Sequence, residues 1–138
     1  MRMILAVVCV ILGALTVGCN SQQTVGLRQV AKAEASVSRG FGSFHDEPFL
    51  TLEAKQDGEA MERLVQAIQG AEKQEGIVNM TAPDYDVRLT YDDGSTKTYH
   101  LWLDERFEHA TLMHTDKTHH IYRVTAKSTT VLLDIIQD

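Results

Sequence analysis

The sequence predicts an α+β domain, an antiparallel β-meander of four to five strands with two helices packed on one face. Two of the observations behind this are periodicities. Tyr85, Val87, Leu89 and Tyr91 alternate with Asp86, Arg88 and Thr90 as in a half-buried strand, and Met61, Leu64, Val65 and Ile68 recur at helical spacing. The third is the close of the chain, where Val131, Leu132, Ile135 and Ile136 form a second apolar stripe behind Thr125 and Ser128, both good helix caps.

The chain opens with Arg2, an apolar run from Ile4 to Leu15, and Thr16-Val17-Gly18-Cys19. A basic residue, a greasy segment and small residues before a cysteine make up an export leader. The pattern resembles the bacterial lipoprotein signal, with Gly18-Cys19 as the cleavage and lipidation pair. Thr16 departs from the leucine usual at that place, since Leu15 sits one residue early. A transmembrane anchor is the alternative, but the polar run Asn20 to Thr24 trims the apolar segment to the lower limit of the ~17–25 residues a spanning helix needs. Residues 1–18 are thus expected to be a signal peptide, 19–29 a tether, and 30–138 one globular domain.

Charge and cysteine content fit that address. Loss of Arg2 with the leader reduces 13 basic residues to 12 against 19 acidic ones, a net charge of −7 that repels nucleic acid and anionic bilayers. Attachment to the membrane must then be covalent, through acyl chains on Cys19, with no other cofactor expected. Cys9 is lost with the leader, so the mature chain has no thiol for a disulfide or a zinc-thiolate site.

Along the domain, Val30 to Ser38 fits neither period well and is read as an edge strand. Arg39 to Pro48 is a loop by its glycines and proline, and Phe49 to Leu52 a short strand. Asp57 is placed to cap a helix reaching about Ala71, with Glu59 and Arg63 four apart on its wet side. Gly70 and Gly76 bracket a loop that continues to Pro83. In the hairpin that follows, a three-residue turn with Gly94 in the left-handed position sets Val87 opposite Tyr99 and Tyr85 opposite Leu101. That register separates core from solvent better than a two-residue Asp93-Gly94 turn, and it points His100 and Trp102 away from the core. Two short strands, about Ala110–His114 and His119–Val124, flank a turn at 115–118. A helix from about Ala126 to Ile136 ends the chain.

Catalysis finds little footing. Ser43, His45 and Asp46 are sequence neighbours rather than a triad assembled from distant positions, and no Gly-x-Ser-x-Gly elbow occurs. The expectation is a non-catalytic binding or accessory domain rather than an enzyme. Its candidate binding surface is Trp102, His100, Arg88 and Asp86 on the sheet face away from the helices, unless Trp102 lies beneath a loop as a satellite core residue. An alternative use is metal binding by the C-terminal histidines, with His114, His119 and Asp116 as ligands if the first two face each other across their hairpin.

The runs Asp46-Glu47-Pro48-Phe49-Leu50 and Pro83-Asp84-Tyr85, with Asp93-Gly94, Tyr99-His100-Leu101-Trp102-Leu103 and Ile135-Ile136, resemble the YhfM-like lipoproteins of Bacillus-type bacteria over most of residues 45–138. The resemblance implies a small domain anchored on the outer side of the cell membrane. It supplies no activity, and the partner, a protein or another envelope component, is left unnamed.

Overall fold

A computed structural model describes residues 29–44, 46–75 and 80–138. The leader, Cys19 and nearly all of the tether lie outside these residues. In chain order the elements are β1 (Val30–Val37), β2 (Leu50–Glu53), α1 (Gly58–Gln69), β3 (Glu72–Gln74), β4 (Tyr85–Tyr91), β5 (Thr96–Trp102), β6 (Thr111–His114), β7 (Lys117–Arg123) and α2 (Ala126–Gln137). Among the described residues no helix is long and apolar enough to cross a bilayer.

The fold is α+β, as expected, but its antiparallel sheet has seven strands rather than four or five, in the order β2-β1-β4-β5-β6-β7-β3. Four consecutive strands, β4 to β7, form the meander. The extra strands come from the two flanks. On one side β1 pairs with both β2 and β4, so it is an inner strand and not the expected edge. Its alternation is real but written in alanine: Ala33 and Ala35 are buried in the apolar core, while Lys32, Glu34 and Ser36 occupy the other face. On the other side Glu72-Lys73-Gln74, in the stretch read as a loop, pairs with β7 and forms the far edge. Three polar residues can serve there because an edge strand gains its stability from backbone pairing.

The central hairpin has the expected register. Tyr85, Val87 and Arg88 face Leu101, Tyr99 and Thr98, and Asp86 faces His100. Gly94 supplies the turn, with φ at +81° where a side chain would be strained. Consequently Val87, Leu89, Tyr99 and Leu101 lie on one face with Leu112, and both helices pack there through Met61, Leu64, Ala67 and Ile68 of α1 and Leu132 and Ile136 of α2.

Helix α1 carries the chain from the β2 edge to the β3 edge across this face. Asp57 does sit at its N-cap, yet its carboxylate makes no cap hydrogen bond and accepts instead from the Glu53 backbone N–H at 3.1 Å. Arg63 turns from Glu59 to Asp134 of α2, 3.5 Å away, which links the two helices at their exposed side. At the start of α2 the Thr125 hydroxyl accepts from the Ser128 N–H.

One buried bond joins α2 to the sheet: the Ala110 backbone N–H donates to the Thr129 hydroxyl at 2.9 Å. Valine at this site keeps the shape and removes the acceptor, leaving a buried donor unpaired, which costs about 1–3 kcal/mol. Thr129→Val should therefore lower unfolding free energy in urea by that amount, whereas Thr129→Ser should retain most of it; equal losses would show that packing alone is at stake.

Candidate functional site

The two faces of the sheet carry different chemistry. On the face away from the helices the register aligns Ser36, Asp86, His100 and Met113 on four neighbouring strands, all of them buried. Asp86 Oδ1 and His100 Nδ1 lie 2.7 Å apart, each side chain only 1% exposed. The loop after β1 covers them: the Phe41 ring meets His100 edge-on at 5.5 Å and Trp102 at 6.2 Å. In the same loop Phe44 lies 4.2 Å beneath the Arg88 guanidinium, which donates to Glu34 at 2.9 Å. Burial pushes the Glu34 carboxyl up, but Arg88 and Lys32 outweigh it and hold it below the usual carboxylate range.

The four residues expected as a binding surface therefore do gather on the predicted face. Their centre is covered, however, because Asp86 and His100 form a sealed polar pair under Phe41. Trp102 is half-buried, and its indole N–H donates to the Thr81 carbonyl at 2.9 Å. Ser36, Asp86 and His100 do not make a triad. The acid stands between the serine and the histidine, so the imidazole has no route to the Ser36 hydroxyl, which is buried without a hydrogen-bond partner among the described residues.

The histidines expected as metal ligands are dispersed. His114 pairs with Lys117 across a turn tighter than predicted, and the register then shifts, so His119 does not face His114. His109 reaches the Val124 carbonyl at 2.9 Å, and His100 is held by Asp86. Among the described residues no group of three or more His, Cys, Asp or Glu side chains converges on one point. His45 lies outside the described residues.

A cavity of about 600 Å³ opens on the helix-bearing face, at the end of the sheet nearest the β4–β5 turn. Leu89, Leu112 and Ile68 supply its apolar lining; Tyr91, Lys97, Tyr99, His114 and Tyr122 supply the rest from β4, β5, β6 and β7, with Gln69 and Ala71 at the end of α1. Its size is within the range of small-molecule sites. His114 is fixed between two rings, Tyr99 at 4.5 Å and Tyr122 at 5.8 Å edge-on. Desolvation lowers the His114 pKa, helped by Lys97 and Lys117 and opposed by Asp116. Burial likewise drives the Tyr99 phenol far above its ordinary value. A neutral imidazole and the un-ionised Tyr99 phenol above an apolar floor can bind a ring and offer hydrogen bonds to its substituents.

Sequence reasoning missed this groove, although a signal was present. Lys97 has the parity of Tyr99 and Leu101, so the chosen register already set a lysine on the core face, which marks where the core stops.

Comparison with solved structures places the fold beside a thioesterase-like protein from Clostridium sporogenes, with a TM-score of 0.59 at 12% identity, covering 79% of this chain and 95% of that one. At that identity the likeness concerns the fold alone. No curated relative matches the chain. The YhfM protein family matches residues 53–138, from the end of β2 to the C-terminus, and the chain belongs to that family.

Two predictions test the two faces. Removing one member of a buried hydrogen-bonded pair strands the other, so Asp86→Ala should cost about 1–3 kcal/mol, while Asp86→Val with His100→Leu should cost less than the single change; chemical denaturation of the two variants decides, and a double variant worse than Asp86→Ala would mean that no stranded group was at work. For His114 the neutral form is favoured by folding, so its contribution is present above the unfolded value of about 6.5 and lost as pH falls through the folded one. Melting temperature should accordingly drop on acidification below about pH 6.5, and His114→Phe should make that slope shallower; an unchanged slope refutes the assignment.

Proposed function

We propose that this chain is a lipid-anchored extracytoplasmic protein at the cell membrane, carrying acyl chains on Cys19, and that the domain after the tether binds a ligand or partner rather than catalysing a reaction. The address rests on the leader that ends in Gly18-Cys19 and on a mature charge that disfavours adhesion to anionic lipid. The observation that carries the binding role is the groove of about 600 Å³ lined by Tyr91, Tyr99, His114, Tyr122 and Lys97. It joins apolar area to a few polar groups, the composition that retains small molecules. The thioesterase-like neighbour raises thioester hydrolysis as a comparison, but the lining residues of this groove include no serine, threonine or cysteine beside His114, and the Asp86–His100 pair lies on the opposite face of the sheet.

Mass spectrometry of the membrane fraction should find a mature N-terminus at Cys19 carrying lipid, and Cys19→Ser should abolish both processing at Gly18 and firm membrane retention. Intact Met1, an unmodified Cys19, or a serine variant retained and processed as before would overturn the anchoring. Failure of the groove-binding experiment below would overturn the binding role and leave the anchoring standing.

A further inference from the structure

Strand β5 enters the sheet with a lysine where the alternation calls for an apolar residue. Lys97 sits opposite Leu89 and two residues before Tyr99, both buried, yet Lys97 itself is exposed at the groove mouth. Among the described residues it has no carboxylate within ion-pair distance. Lys117, the cross-strand partner of His114, is a second cation on the same face, and Asp116 is the acid that acts on His114. A chain of net charge −6 thus sets two lysines against the single acid that acts on His114 at this part of the groove.

The opposite wall sets the direction. Gln69 and Ala71 line it at the carboxyl end of α1, whose last carbonyls present negative partial charge, and the last turn holds no basic residue to offset it. An anion is disfavoured there and favoured across the groove at Lys97. Between the two lie the rings of Tyr99, His114 and Tyr122.

We infer that the groove takes a small organic anion built on a flat ring, its carboxylate or phosphate at Lys97 and its ring among Tyr99, His114 and Tyr122. This rests on the reading of the groove as a binding site and names the class of ligand for it. The neutral imidazole and the phenols contribute hydrogen bonds, and Lys97 contributes the charge that separates an anion from its neutral analogue.

The test uses the full chain in nonionic detergent, with phenyl phosphate, inorganic phosphate and benzyl alcohol as probes and the His114 ring signals in NMR as readout. Phenyl phosphate should shift those signals and move the His114 titration to higher pH, since a bound anion favours the imidazolium. Lys97→Gln, an exposed change, should weaken phenyl phosphate about five-fold, the scale of a solvent-exposed ion pair, and leave benzyl alcohol unaffected. If Lys97→Gln leaves phenyl phosphate affinity unchanged, or benzyl alcohol binds as tightly, the anion selectivity is wrong while the groove remains a binding site. If inorganic phosphate matches phenyl phosphate, the ring contributes nothing and the inference falls. If no probe shifts His114, the groove reading falls with it.

Discussion

A single turn geometry governs where chemistry is found in this molecule. With Gly94 at a φ of +81°, the β4–β5 hairpin closes through three residues and pairs Val87 with Tyr99. With β4 in place, a slip of one residue would turn His100 toward the helices and send Tyr99 and Leu101 to the other side, because side chains alternate with a period of two. The register therefore fixes both the apolar core and the buried polar pair, and β1 and β6 extend the division by pairing to either side. No separate device is needed to place the Asp86–His100 contact; it follows from the same pairing that builds the core.

Coverage, rather than register, determines what is left accessible. Seven strands about 4.8 Å apart span roughly 29 Å, and a helix of twelve residues is about 18 Å long. Two such helices cannot roof the whole face. They cover Val87, Leu101 and their neighbours, and they leave the end that bears Tyr91, Lys97, His114 and Tyr122, which is where the cavity lies. Among the described residues no helix lies on the opposite face, yet its centre is closed by Phe41, with Phe44 against Arg88 nearby. The face expected to be open is sealed, and the face expected to be packed is incomplete.

Those differences show how far residues reveal a site. Local signals were legible: the hairpin register, the stripes of α1 and α2, and the Thr125 cap each depend on side chains within a turn or a strand pair. Long-range pairings were not. Strand β3 consists of Glu72, Lys73 and Gln74, and nothing in three polar residues announces a partner some fifty positions later in β7. Alanine hid β1, because Ala33 and Ala35 carry too little apolar contrast for alternation with Lys32 and Glu34 to stand out. The groove draws on five elements, so only the tertiary fold could assemble it, and Lys97 at an inward parity was its one local trace.

Geometry also relates the groove to the proposed anchor. The Asp92 N–H donates to the Gln29 carbonyl, so the chain enters the sheet beside the β4–β5 turn, at the end where Tyr91 and Lys97 line the cavity. Anchoring at Cys19 would thus put the groove on the side of the domain nearest the bilayer, at the end of a tether whose eleven residues reach at most about 40 Å. Asp92 and Asp93 project at that same end, and with the acidic excess of the mature chain they oppose close approach to anionic lipid headgroups. Under the proposed anchoring, acyl chains would hold the domain at the surface while its charge opposed contact with the headgroups. The groove would then be reached from the aqueous layer above the membrane, which would suit a soluble, charged, ring-bearing ligand better than an acyl chain buried in the bilayer.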